Sequence, residues 1–247
     1  MLTFVQSDTS RWVRVLLLSC LLVSSVSGQQ KNAVLSTTVR EDIFAGILAD
    51  DLERLKVRLD KLESAIRQSP NSAGSIAWRG AGELTLAVHA HQAGQPSEFT
   101  SFYEAAVRSF ADAERLAPSN AGVYDVSGAA WSSLGDRLPA SLRAGAHEAA
   151  YRSWRTALTL SQDRLATMSP HGRGEMLAAI AHAAQRTNRT EEARQRLMEI
   201  IEALPGTPFE ARAKQWLNKP ELITTASASC QSCHPQERLS SVMTKSR

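Results

Sequence analysis

One spacing of small, apolar and proline residues occurs twice in this 247-residue chain and strongly limits how it can fold. Each occurrence has side chains at offsets of zero, four and seven followed by proline at twelve: Ala106, Phe110, Ala113 and Pro118, then Ala193, Leu197, Ile200 and Pro205. Offsets of four and seven place side chains on one face of an α-helix, and proline ends that helix. The spacing predicts repeated amphipathic helices over 75–217.

A further unit lies between these two occurrences. Its first helix is indicated by Tyr124, Gly128, Trp131, Leu134 and Gly135, and its second by Ala150, Trp154, Ala157 and Leu158. The second set comes later than an uninterrupted repeat would place it, so residues 137–147 are predicted to be an insertion in the turn between the helices. We expect Gly94 and Gly128 to lie where paired helices touch, with aromatic or apolar side chains beside them.

These anchors resemble those of the tetratricopeptide-repeat family over roughly 140 residues. The resemblance implies an all-α solenoid of three degenerate helix pairs whose surface docks a partner protein. Two features depart from the family: Ser127 and Ala93 replace a larger apolar residue, and the insertion breaks the period. A last helix is expected from Thr207, where Thr207 and Glu210 form a capping box, and it would cover the end of the stack.

An apolar stripe precedes the repeats. It has alternating spacings of four and three, at Leu48, Leu52, Leu55, Leu59, Leu62 and Ile66. The stripe predicts one long amphipathic helix over 38–67. Two uses of the stripe stay open: it covers the flank of the following helices, or it pairs with a second copy in a homo-oligomer.

The first 28 residues have the pattern of a secretory signal peptide. Arg11 and Arg14 precede an apolar run over 15–23, and Val26-Ser27-Gly28 supplies small residues for cleavage before Gln29. The pattern predicts an exported, periplasmic or otherwise extracytoplasmic protein. A retained membrane helix and lipid attachment at Cys20 remain as alternatives.

The most specific motif is Cys230-Gln-Ser-Cys233-His234, which follows a predicted linker over 218–229. Two thiols three residues apart can add to two vinyl groups on one edge of a porphyrin, and the adjacent imidazole can reach the iron. These five residues resemble the attachment site of c-type cytochromes. The resemblance implies one covalent haem c on Cys230 and Cys233 with His234 as axial iron ligand, in a tail over 230–247.

The second axial ligand is less constrained by the sequence. Met243 is one candidate, and His89 or His91 is another, whereas His147, His171 and His182 show no spacing signal. The iron could also be five-coordinate or bound by a partner protein. Two non-haem readings of Cys230 and Cys233 stay open, a zinc site and a redox-active dithiol.

Charge and composition narrow the function further. The net charge is +3, and Lys and Arg are interleaved with Asp and Glu, which argues against nucleic acid as a partner. Neighbouring carboxylates such as Glu191 and Glu192 diverge on a helix, and the sequence contains no defensible catalytic constellation. We therefore expect an exported haem-bearing electron carrier docked through helical repeats. A non-haem interaction scaffold and a peroxidase-like haem site are the alternatives.

Overall fold

A computed structural model describes residues 42, 43, 46 and 51–224 of the chain. Within these residues the ordered elements are all helical, which confirms the all-α prediction for this part of the chain. The α-helices are α1 (Leu52–Gln68), α2 (Ala73–Gln92), α3 (Pro96–Leu116), α4 (Ala121–Leu134), α5 (Ala140–Leu165), α6 (Pro170–Arg186), α7 (Thr190–Ala203) and α8 (Pro208–Asn218). Two 3₁₀ helices, Gly135–Arg137 and Pro220–Thr224, follow α4 and α8.

Consecutive helices pack as hairpins. The three most extensive contacts join α2 with α3, α4 with α5, and α6 with α7, and each pair is connected by a short turn. The hairpins then contact one another through α2 with α4 and through α5 with α6, while α8 packs on α7. Because these partners are adjacent or next but one along the chain, the described helices form a sequential array.

Close helix contacts occur where a glycine faces an aromatic ring. A methyl group at Gly80 would lie 3.0 Å from the ring of Phe110, and one at Gly128 would lie 3.0 Å from the ring of Trp154. The expected position of Gly128 is therefore present. The expectation for Gly94 is wrong: this residue lies in the turn after α2 with φ +70°, and nothing lies within 4 Å of an added Cβ.

The predicted insertion has a different structure from the one expected. Residues 137–147 do not form a long turn, because α5 already begins at Ala140 and continues for 26 residues. Only the 3₁₀ helix and the two residues after it separate α4 from α5. Local sequence and core burial act together here. Pro139 precedes a run rich in helix-forming alanine, and Leu138 and Ala146 are buried in the core.

The helix α1 is shorter than the predicted helix over 38–67. Asp51 has a non-helical ψ of 76°, and its carboxylate accepts a hydrogen bond from the Arg54 backbone N–H at 3.1 Å, so the helix begins at Leu52. The stripe residues Leu55 and Leu62 are buried, and Leu59 lies against Gly82 of α2. The stripe of α1 is therefore used within the chain, on the flank of the hairpins.

Helical residues before α1 lie against it. Asp42 is buried and accepts hydrogen bonds from the guanidinium groups of Arg54 and Arg58, the latter from Nε at 2.5 Å. An added Cβ at Gly46 would lie 2.9 Å from Leu55. These contacts explain why one straight helix does not form, because the Asp42 carboxylate and Gly46 must face the first half of α1.

The last helix and the residues after it close the second half of the core. Thr207 caps α8, as its Oγ1 accepts a hydrogen bond from the Glu210 N–H at 3.4 Å, and Pro208 occupies the first position. Pro220–Thr224 packs on α6 and buries Ile223 to 1% exposure. The first residues of the predicted linker over 218–229 are thus part of the packed structure, because Leu222 and Ile223 add apolar surface to this core.

The helices α6 and α8 lie in close contact at Gly174 of α6. An added Cβ would lie 2.5 Å from the ring of Phe209, which is buried at the start of α8. We expect Gly174→Ala to lower the free energy of unfolding by about 2 kcal/mol because the ring must move. Urea unfolding followed by circular dichroism measures the change.

Gly145→Ala is the matched control. Gly145 lies inside α5 with nothing within 4 Å of an added Cβ, so this change should raise stability by about 0.5–1 kcal/mol through helix propensity alone. An equal increase in the free energy of unfolding for both variants would show that the contact between α6 and α8 can accommodate a methyl group.

Candidate functional site

The residues predicted to hold haem, Cys230, Cys233 and His234, lie outside the described residues, as does Met243. The described chain leads towards them from Pro220–Thr224, which packs on α6. Five residues lie between positions 224 and 230, so the length of the chain limits the distance between these two Cα atoms to about 22 Å. The predicted site is therefore tethered to the end of the helical array formed by α6, α7 and α8.

The shape of the described surface bears on where a porphyrin could be held. A shallow, open groove lies on α1, lined by Val57, Asp60, Lys61, Ser64, Ala65 and Gln68. The groove is open to solvent and has the charged residues Asp60 and Lys61 in its lining, whereas an apolar porphyrin face needs an enclosed site. The groove does not fit haem. Over residues 42, 43, 46 and 51–224, no group of three or more His, Cys, Asp or Glu side chains could hold a metal ion.

The described histidines differ in exposure. His91 and His171 are exposed, with the His91 ring 5.6 Å from that of Phe99 and His171 Nε2 3.3 Å from Glu175. His89 is half-buried, so the two histidines that the sequence offered as distal ligands differ in exposure, as their spacing of two implies. His182 of α6 is buried, and His147 of α5 is half-buried.

A polar cluster occupies the joint between the second hairpin and α6. We call it the joint cluster and define it as Asp136, His147, His182 and Arg186. Arg186 Nη2 donates to Asp136 and lies 2.7 Å from His147 Nε2, which is itself 3.1 Å from Asp136 Oδ1. Because Asp136 belongs to the 3₁₀ helix after α4, the cluster links three successive elements through side-chain contacts.

Burial lowers the pKa of both histidines of the joint cluster. The pKa of His182 is lowered to about 4, first by burial and then by the nearby His147. The pKa of His147 is also lowered, by burial and by the cation of Arg143. Among the described residues, His182 Nε2 is a buried atom with no hydrogen-bond partner, so nothing offsets the cost of charging that ring.

Asp125 of α4 shows the opposite shift. Burial raises the pKa of its carboxyl to about 6, with Arg164 lowering it and Glu175 raising it further. Its Oδ1 is likewise buried with no hydrogen-bond partner among the described residues. The carboxyl therefore favours its neutral form far more in the folded chain than in water.

A second polar network joins α1, α2 and α3. Ser109 donates to Glu83 at 2.6 Å and accepts from Arg79 Nε at 3.2 Å, while Arg79 Nη1 reaches Glu63 at 2.9 Å. Burial raises the pKa of Glu83 even though Ser109 and Arg79 lower it. The network is a structural connection between helices, since all its polar groups are mutually paired.

Comparison of the chain with protein-family models, with curated proteins and with solved structures finds no significant match. No family is therefore assigned by similarity. Among the helices of the described part, none combines the length and apolar character needed to cross a membrane.

No sequence pattern identifies the joint cluster as a site. Its members come from three elements and are up to fifty positions apart, as Asp136 and Arg186 are. The only local signal is that His182 and Arg186 lie four residues apart on one predicted helix face. Such a spacing is too common to identify a site without the fold.

The shifted groups predict how stability depends on pH. The His182 pKa is lowered from 6.5 to about 4. The contribution of the neutral ring to the free energy of unfolding is therefore present above pH 6.5 and is lost as the pH falls towards 4. In His182→Leu that loss should be absent. Between pH 7 and pH 4.5, wild type should lose on the order of 2–3 kcal/mol more than this variant, measured by urea unfolding.

Two controls accompany this measurement. His171→Leu removes an exposed histidine and should follow the wild-type pH dependence. Asp125→Asn should lose stability more steeply in acid, because the raised Asp125 pKa contributes stability that is present below 3.8 and is lost as the pH rises through about 6. If the free energy of unfolding fell equally with pH in wild type and in His182→Leu, the prediction would be contradicted.

Proposed function

We propose that this chain is an exported, all-α protein that carries one covalent c-type haem and transfers electrons outside the cytoplasm. The observation that carries the proposal is the intact Cys230-Gln-Ser-Cys233-His234 motif. Removal of the predicted leader would take away Cys20, so Cys230 and Cys233 would be the only thiols of the mature chain. Both would then be available for attachment.

The two thiols and the imidazole of the motif are suited to binding haem. Two thiols can form thioether bonds to the vinyl groups of one porphyrin, and the imidazole of His234 is an effective axial ligand for iron. When bound, haem would supply one-electron transfer between its ferrous and ferric states. In this proposal Cys230 and Cys233 anchor the group, and His234 sets its potential through ligation.

Cover for the haem faces would come from elsewhere in the chain or from a partner. The groove on α1 does not suit haem. We therefore propose that haem is partly exposed, or shielded by the end of the helical array within reach of Thr224, a placement that favours rapid electron exchange with a docked protein.

We further propose that the three hairpins are tetratricopeptide-like repeats that dock a protein partner, in a redox or membrane-associated complex in the periplasm. The close approach of Gly128 and Trp154 supports this, because small residues facing large ones are typical of paired repeat helices. The length of α5 departs from a regular repeat. A homo-oligomer through 38–67 would use the outward face of α1, where Val57 is 54% exposed.

A scaffold without haem is the second candidate. It is favoured by the character of the described helices: the surface groove on α1 is open, and the network of Arg79, Glu83 and Ser109 connects helices instead of facing a ligand. In that case the tail would bind zinc or form a redox dithiol, and the helices alone would carry the function. A peroxidase-like reaction is distinguished by peroxide turnover of the haem-loaded protein.

Intact mass of the full chain, made in a host that matures c-type cytochromes, tests the main proposal. Wild type should be heavier than its mature polypeptide by one haem, and the double change Cys230→Ala with Cys233→Ala should remove that increment because both thioether sites are lost.

Cys20→Ser is the matched control and should keep the haem, because Cys20 lies in the predicted leader. A wild-type protein with the mass of its amino acids alone would overturn the electron-carrier proposal. Zinc in the purified protein, or two titratable thiols, would then support the scaffold.

Met243 is tested on the same haem-loaded protein. If Met243 is the second axial ligand, Met243→Ala should convert low-spin ferric iron to high-spin iron or to iron bound by water, since one strong-field ligand is lost. Absorption and electron paramagnetic resonance spectra report the change. Spectra identical to those of wild type would assign the position to another ligand or leave the iron five-coordinate.

A further inference from the structure

The strongest unassigned feature of the described residues is the joint cluster, where one carboxylate is shared by an arginine and a histidine. We propose that this cluster is an acid-sensitive latch: protonation of His147 displaces Arg186 and loosens the joint between the second hairpin and α6. The proposal goes beyond the electron-carrier function and does not depend on haem. It rests on the contacts of Asp136, His147 and Arg186 and on the elements that carry them.

Protonation changes the hydrogen bonds that His147 Nε2 can form. His147 Nε2 lies 2.7 Å from Arg186 Nη2, and an arginine can only donate hydrogen bonds. Nε2 must therefore accept, which requires an unprotonated nitrogen. Once the ring is protonated, Nε2 can only donate, and the acceptor within reach is Asp136 Oδ1 at 3.1 Å. The histidine then competes with Arg186 for the same oxygen.

The charges that face His147 favour the neutral ring. The 3₁₀ helix supplies Asp136 and Arg137, α5 itself supplies Arg143, and α6 supplies His182 and Arg186. Of these, Arg137 Nη2 donates to Gln92 at 3.0 Å, so it is directed towards α2. One carboxylate therefore faces several cationic or titratable groups, and a further proton adds repulsion.

The remaining titratable neighbours are engaged elsewhere. Glu148, next to His147, pairs with Arg189 at 2.8 Å, and Tyr151 donates to Glu192 at 2.6 Å, so both face α7. The titratable residues of α4, Tyr124 and Asp125, lie in its first turns, about 15 Å along the axis from the 3₁₀ helix that follows its end. No described carboxylate other than Asp136 is in position to balance a charged His147.

The position of the cluster explains why its opening would move the joint. Contacts between α4 and α6 are sparse, and the ion pair of Asp136 with Arg186 spans the elements at this point. The ring of His147 also lies beside Gly135, where an added Cβ would lie 3.4 Å from His147 Cε1. Since α6 also carries Pro220–Thr224, loosening the joint frees the third hairpin together with the chain that leads to the tail.

Hydrogen–deuterium exchange of the full-length protein between pH 7.5 and pH 5.0 tests the latch, with rates corrected for intrinsic exchange. Protection in peptides covering 134–147 and the last turn of α6 should fall by about tenfold or more in acid, while α2 and α3 peptides stay protected. In His147→Gln the fall should disappear, because a glutamine oxygen accepts from Arg186 at every pH. An equal fall in His147→Gln would overturn the proposal.

Two further variants keep the test decisive if His147→Gln is poorly folded. Asp136→Asn removes the shared carboxylate and should lower protection in the same peptides already at pH 7.5; unchanged protection would overturn the latch. His182→Gln lacks the general acid loss predicted for His182, but in acid its joint peptides should still lose more protection than its α2 and α3 peptides. If His182→Gln abolishes the fall, protonation of His182 and not of His147 opens the joint, and the assignment to His147 is wrong.

Discussion

The array depends on how closely its helices approach one another, and that approach depends on glycine facing an aromatic ring. Gly80 with Phe110, Gly128 with Trp154 and Gly174 with Phe209 recur along the chain, one contact within each of the first two hairpins and one between α6 and α8. Removing the Cβ lets a flat ring lie against helix backbone, where dispersion contacts are dense. Trp154 also borders the apolar clusters on either side of it, so one such contact joins the two halves of the core.

Close helix packing excludes water from the polar side chains between the helices. Where helices meet, a buried group either finds a partner, as Ser109 does with Glu83 and Arg79, or shifts its pKa towards the neutral form, as Asp125 and His182 do. The shifts of Asp125 and His182 act in opposite directions on stability between pH 4 and pH 6.5. Each shift therefore offsets part of the other's effect on the free energy of unfolding in this range.

Sequence patterns predicted the helical class and several contacts, because apolar periodicity and the spacing of small and aromatic residues are local signals. They placed Gly128 opposite Trp154 and the cap at Thr207 correctly. They failed where a tertiary contact overrides a local pattern: Asp42 binds Arg54 and Arg58 and interrupts the long helix, and core burial of Leu138 and Ala146 turns a supposed loop into helix. The joint cluster joins side chains distant in sequence, so no local pattern could reveal it.

The third hairpin connects the joint cluster with the segment that leads towards the tail. Arg186 lies at the end of α6, whereas Pro220–Thr224 packs on the same helix and leads towards the tail. A helix of 17 residues is about 25 Å long and transmits a rotation at one end to whatever is attached along it. A change at the joint cluster would therefore be passed along α6 to the Pro220–Thr224 segment that packs on this helix.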